Sequence, residues 1–336
     1  MRESFFNPKL TLNDILYAPI EPYRQNILDV GDNHKIYIEE CGNPEGQPVL
    51  VLHGGPGGGC NPNMRRYFDP NFYRIILFDQ RGCGRSKPHA SVENNTTWNL
   101  ILDIETIRFN LGVNKFILFG GSWGAALALI YAEQFPNHVL GMILRGVFTI
   151  TKVELDWVYT KHGAARFLPE AWRNFESIIP MTERDNLLLA YHKRLFGSSP
   201  SEQEKYARAW TIWENSLASF KSFGASYNPS IEYAKAFARI ENHYFINAGF
   251  LDNNEQIIQN LHLIKEIPTI IIQGRFDMIC PPETAEKVHR SLPNSKLVMV
   301  KDAGHAMSEP GISSELVKST NDLKVKMTEL DESPDQ

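Results

Sequence analysis

No apolar run in the 336-residue sequence approaches the 18 or so residues that cross a bilayer. The opening MRESFFNPKLTLND also lacks the apolar core of a secretory signal, so the expectation is a cytoplasmic protein with no membrane segment. Cysteine is sparse. Cys41, Cys60, Cys83 and Cys280 stand too far apart for paired metal ligands and too few for a disulfide scaffold. Basic charge is not in excess: 34 Lys and Arg face 39 Asp and Glu, for a formal charge of -5, which gives no electrostatic case for nucleic acid or an anionic membrane. Repeats and low-complexity blocks are missing as well. The glycine-rich GGPGGGCNPN has no lysine beside its glycines, which argues against a phosphate-binding loop.

What is present points to a large packed core: 43% apolar residues, with six Trp, twelve Tyr and nineteen Phe. In the first half, short apolar runs alternate with helical stretches. NHKIYIEECG reads as an early edge strand, and PVLVLHGG, FYRIILFDQRG, KFILFGGSWG and MILRGVF read as buried strands. Between them, TTWNLILDIETIRFNLG and GAALALIYAEQFP read as helices, the second apolar all round. From about Thr149 to Leu261 the pattern changes to helical segments rich in aromatics and charge: DWVYTKHGAARFLPEAWRNFESII, SEQEKYARAWTIWENSLASF and SIEYAKAFARIENHYFINAGF. Strand runs return in IPTIIIQGRFD and SKLVMVKDAGHAM. This order fits one α/β core with a central, mostly parallel sheet, in two parts (1–148 and 262–318), interrupted by a helical subdomain at 149–261. The last stretch, 319–336, reads as a weakly packed helix and a frayed acidic tail.

LFGGSWGAAL places Gly120, Ser122 and Gly124 in a G-x-S-x-G turn between an apolar strand and an apolar helix. Such a turn needs small neighbours because it strains the serine backbone to expose the hydroxyl. Serine is a weak nucleophile without a base, so an acid and a histidine should follow it. Asp277 ends one strand and His305 follows the last; Asp302 is a nearby rival for the acid, and Asp277 could also cap a helix. His289 and His138 read as helix-surface and helix-end groups. The loop HGGPGGG would bring a backbone N–H, with Gly55 preferred, to the carbonyl oxygen, beside the N–H of Trp123. His53 is then a supporting residue and not a second base. Without a clustered ligand motif, metal catalysis is not expected.

Together HGGPGGG, DQRGCGRS, GGSWG, LRGVF, GRFDMICP and GHAMSEPG, supported by WENS and ARIENHYF, resemble the proline iminopeptidases, serine peptidases of the α/β-hydrolase fold; the match runs from about His53 to Gly311. The resemblance implies release of an unblocked N-terminal proline from short peptides, without metal or organic cofactor. It assigns the triad to Ser122, Asp277 and His305, recognition of the substrate amine to Glu214 and Glu241, and the proline pocket to Phe148, Met278 and Cys280, with Trp157 or Tyr159 as further candidates. Confined carboxylates suit an ammonium group, although each glutamate also fits a solvated helix face, and Phe148 fits ordinary core. Phe276 stands where a tyrosine is common in related segments, which bears on fine preference among proline analogues. Asp79, Arg81 and Arg85 read as an ion-pair network near the active-site face, for which loop stabilisation fits at least as well as direct substrate contact. A related hydrolase of esters or small amides is the nearest rival reading, and an inactive binding protein on the same scaffold the more distant one. Assembly is left open.

Overall fold

The computed structural model describes residues 2–4, 11–220 and 228–331. The chain forms β1 (Arg2–Ser4), α1 (Leu12–Ile15), β2 (Arg24–Asp29), β3 (Lys35–Gly42), β4 (Gln47–Leu52), β5 (Tyr73–Phe78), α2 (Thr97–Asn110), β6 (Phe116–Gly121), α3 (Trp123–Gln134) and β7 (Val139–Arg145). There it leaves the sheet for α4 (Lys152–Tyr159), α5 (Pro169–Ser177), α6 (Leu187–Leu195), α7 (Pro200–Ala218), α8 (Ile231–Ile246) and α9 (Gln256–Asn260). It returns as β8 (Thr269–Gly274), α10 (Pro282–Ser291), β9 (Ser295–Val300) and α11 (Pro310–Asp331).

Among the described residues one nine-stranded sheet runs β1-β9-β8-β7-β6-β4-β5-β3-β2. All its pairings are parallel except β2 with β3 and β3 with β5. The interior strands are apolar on both faces because helices cover both, as parallel sheets require. One layer of core joins β4, β6 and α3; the other joins β5 and β6 to α11. α3 is buried along almost its entire length, which explains its unbroken apolar sequence.

Three expectations need correction. NHKIYIEECG is not an edge: β3 lies between β2 and β5, and the edge is β2, whose polar, largely exposed RQNILD carries no apolar alternation. The segment expected as one long helix from Asp156 to Ile179 is broken. α4 stops at Thr160, whose backbone is extended, and α5 starts afresh with Pro169 at its first turn. The C-terminal helix is firmly packed rather than weakly so: Thr320 and Leu323 are buried, Tyr73 donates its hydroxyl to the Thr320 carbonyl, and Lys324 pairs with Asp69 at 2.6 Å. The acidic tail lies at 332–336, outside the described residues.

The insertion has its own aromatic interior. Tyr159 stacks on Trp210 at 4.6 Å and Phe175 on Tyr191 at 4.4 Å, tying α4, α5, α6 and α7 together. Sheet register then fixes what faces the insertion. Leu52 pairs with Gly120, Gly121 with Arg145, Arg145 with Ile272, and Gly274 with Val300. The loops leaving β4, β6, β7, β8 and β9 therefore emerge side by side at one edge of the sheet, where open α/β sheets place their ligands.

Candidate active site

Ser122 sits between β6 and α3 with φ 58 and ψ -125, a conformation that L residues rarely hold. The turn is tight because its neighbours lack side chains: a Cβ on Gly124 would lie 2.0 Å from the Leu52 carbonyl oxygen. The Ser122 N–H donates to the Arg145 carbonyl at 2.8 Å, anchoring the strained residue to β7.

Asp277 and His305 come together as expected, with His305 Nδ1 2.8 Å from Asp277 Oδ2. Gln273 Nε2 donates to the same oxygen, and the N–H groups of Ile279 and Cys280 donate to Oδ1 at 3.0 and 2.8 Å. The rival Asp302 makes no such contact; the histidine's partner is Asp277. His289 bonds Ser295 and His138 bonds Glu105. Burial pulls the His305 pKa below its ordinary value, with Asp277 opposing and Arg145 adding to the shift.

Arg145 is the residue that motif reading passed over. Its Nη1 donates to His305 Nε2 and to the His305 carbonyl, both at 3.0 Å. A guanidinium can only donate. Nε2 therefore carries the lone pair and Nδ1 the proton given to Asp277, the tautomer that a general base for serine requires. The signal was a charged residue closing the otherwise apolar strand MILR.

The loop after β4 folds over Ser122, with Gly54, Gly55, Gly58 and Gly59 lining the same cavity of about 460 Å³ as Ser122, Arg145 and His305. Gly57 brings the loop against the insertion: with φ +96, a Cβ there would lie 3.1 Å from the Ile240 side chain of α8. Trp123 is the first residue of α3, so its N–H has no acceptor within the helix.

Glu214 on α7 and Glu241 on α8 line that cavity and also a tighter recess behind it, shared by Ser122, Phe148, Tyr159, Phe245, Ile279 and Cys280. Both carboxylates are buried. Tyr159 donates its hydroxyl to Glu214 Oε1 in a very short contact, and Trp210 Nε1 donates to Glu241 Oε2 at 2.6 Å. Among the described residues neither has an ion-pair partner. Burial raises both pKa values, and for Glu241 the neighbouring Glu214 raises it further.

Phe148 meets Phe245 edge-on at 5.9 Å in the recess. Burial pushes the Cys280 thiol far up, so it is protonated and inert as a nucleophile. Met278 differs from expectation. The Asp277 carboxylate caps the next N–H groups and turns Ile279 and Cys280 toward the recess, while Met278 packs on the core and its carbonyl accepts from Trp157 Nε1. Tyr159, not Trp157, thus lines the recess. Trp210 and Phe245 were missed, although each lies four residues before or after a glutamate on its helix and so on the same face.

Among the described residues no cluster of three His, Cys, Asp or Glu is placed to hold a metal, and no helix is long and apolar enough to cross a membrane.

A family model described as the alpha/beta hydrolase fold matches residues 47–311, and the chain belongs to that family. Within it the chain groups with the proline iminopeptidases. It is 47% identical to the proline iminopeptidase of Arabidopsis thaliana, over 97% of this chain and 85% of that protein. It is 45% identical to that of Xylella fastidiosa and 41% identical to that of Neisseria gonorrhoeae, over 91% and 92% of this chain and 98% of each relative. The solved structure of a proline iminopeptidase from Mycobacterium smegmatis shares the fold, with a TM-score of 0.58 at 17% identity over 90% of this chain and 100% of that one.

Proposed function

We propose that this enzyme releases an unblocked N-terminal proline from short peptides in the cytoplasm through a serine acyl-enzyme, with the insertion over 149–261 as the cap of the pocket. One observation carries the reading: two buried carboxylates with no ion-pair partner among the described residues share a cavity with the serine and the histidine. An ammonium is the group that such a pair lacks, and an aminopeptidase must tell a free amine from an internal peptide bond.

The proline ring enters among Phe148, Tyr159, Phe245 and Cys280, and its ammonium pairs with Glu214 and Glu241. His305 Nε2 takes the Ser122 proton as Oγ attacks the proline carbonyl, which requires Arg145 Nη1 to cede that lone pair. Asp277 orients the imidazole and stabilises its charged form. The N–H groups of Gly55 and Trp123 stabilise the oxyanion, and each such donor is worth about 10²–10³ in rate. His305 passes the proton to the departing amine. It next activates a water that attacks the acyl carbon, breaks the ester to Ser122 and frees proline.

Arylamides varied only at the amino-acid position, with an N-blocked proline arylamide and a simple acyl ester, test this reading. Highest kcat/KM on the unblocked proline compound is expected; preference for the blocked compound or the ester would sink it. Serine-directed fluorophosphonate should label the enzyme and fail on Ser122→Ala.

A further inference from the structure

The His53 side chain is buried at the glycine loop and is bonded on both edges of its ring. The backbone N–H of Gln80 donates to Nε2 at 3.0 Å, and Nδ1 lies 2.9 Å from the Gly54 carbonyl oxygen. The Gly59 N–H also approaches Nδ1, at 3.2 Å. A proton on Nε2 would point at the Gln80 N–H and leave the Nδ1 lone pair facing the Gly54 oxygen, gaining only the longer contacts, from Gly59 to Nδ1 and from Nε2 to Cys83 Sγ at 3.4 Å. A proton on Nδ1 satisfies both closer contacts. The neutral Nδ1–H form is therefore the one this site holds, and an imidazolium would set two donors against each other at Gln80. Burial favours the neutral ring too, lowering its pKa.

The Gly54 carbonyl and the Gly55 N–H belong to one planar peptide unit, in which C=O and N–H point in opposite directions. Holding the carbonyl fixes the aim of the N–H. The Gly54 oxygen accepts from His53 Nδ1 on one side and from the Gly58 N–H at 3.1 Å on the other. The second oxyanion donor is tied to the same histidine. Gln80 donates from Nε2 to the His53 carbonyl at 3.0 Å and accepts at Oε1 from Trp123 Nε1 at 2.9 Å. Because the indole N–H can only donate, the carboxamide has one orientation.

We propose that His53, held as the neutral Nδ1–H tautomer, is the positioning residue of the oxyanion site, aiming the Gly55 N–H and, through Gln80, coupling it to Trp123. The inference rests on the proposed assignment of Gly55 and Trp123 as the oxyanion donors. It gives the histidine of HGGPGGG a role that touches neither substrate nor proton transfer, yet acts on the transition state alone.

The test uses His53→Asn, His53→Gln and His53→Leu in the full chain, with thermal unfolding as the check on folding. Asn places an amide N–H where Nδ1 donates; Gln reaches only the Nε2 position; Leu fills the space without hydrogen bonds. With proline arylamide, Leu and Gln should lose about 10²–10³ in kcat, with KM within about threefold, and Asn should recover at least tenfold of that loss. An activated ester should show the same ranking, because the oxyanion forms there too. A proline aldehyde, which forms a tetrahedral adduct with Ser122, should lose affinity in parallel, while pyrrolidine, which has the ring and amine but no carbonyl to form one, should bind as before. Wild-type kcat in a folded Gln or Leu variant, a loss carried by KM, or Asn no better than Gln would overturn the proposal. Should Leu not fold, the Asn and Gln pair decides. A wild-type enzyme that turns over ester but not proline arylamide would instead count against the proposed function.

Discussion

Two sets of buried carboxylates serve the same cavity under opposite conditions, Asp277 from behind His305 and Glu214 and Glu241 from its lining. On the sheet side, four donors converge on Asp277: His305, Gln273 and the N–H groups of Ile279 and Cys280. On the cap side, Glu214 and Glu241 are also buried, and among the described residues each receives one neutral donor, from Tyr159 and Trp210. Asp277 is complete before any substrate arrives. The glutamate pair is not, and burying two such groups side by side costs several kcal/mol unless a cation or a proton joins them. On the proposed reading one carboxylate holds a histidine and the other two await a ligand, a difference that lies in the surrounding donors.

The largest effect expected is on the sheet side. Ser122→Ala should lower kcat on the order of 10⁴–10⁶-fold while prolinamide still binds, since the cap carboxylates are untouched; steady-state kinetics and calorimetry check the two halves. On the cap side, Tyr159→Phe removes the hydroxyl that Glu214 accepts. It should cost about ten- to hundredfold in kcat/KM on proline arylamide, with little change on a small acyl ester that carries no amine.

The pair should also respond to pH. Carboxylates with raised pKa values take up protons on acidification before an exposed glutamate would, and a neutral pair attracts an ammonium weakly. In Ser122→Ala, the affinity for prolinamide should fall as pH is lowered through that raised range, by up to about tenfold per pH unit for each proton displaced. A flat profile from pH 8 to 5 would mean a pair already ionised.

The smallest effect concerns Glu133 on α3, buried in the core and pushed up to about 8 by burial, against a hydrogen bond from Asn260 that lowers it. Its folded pKa lies above the unfolded value, so the folded state binds more protons, and stability falls as pH rises from about 4.5 to 8. Glu133→Gln should leave stability nearly unchanged near pH 5 and raise it by about 1–3 kcal/mol at pH 9, measured by denaturant unfolding.

Much of this was legible in the residues. Strand-ending Ser122, Asp277 and His305 follow from sheet topology, because parallel strands deliver their C-terminal ends to one edge whatever the distance along the chain. Positions fixed by packing between distant segments were less legible. Arg145 reaches His305 only because β7 lies beside β8, and Phe245 of α8 enters the recess by packing on Tyr159 of α4. Within one segment, Met278 and Ile279 could not be told apart until the Asp277 cap fixed the turn. The edge strand β2 escaped notice because an exposed edge needs no apolar alternation. The break after α4, where Pro169 lies inside an otherwise periodic run, was legible but outweighed by the aromatic spacing around it.

The central claim is that the buried pair demands a free amine. The direct test is the ratio of kcat/KM for proline arylamide over its N-acetylated counterpart, in the wild type and in Glu214→Gln and Glu241→Gln. The account predicts a ratio above about 10³ for the wild type, falling at least thirtyfold in either variant as an ion pair worth roughly 2–5 kcal/mol is lost. A ratio that stays at its wild-type value in both folded variants would contradict it.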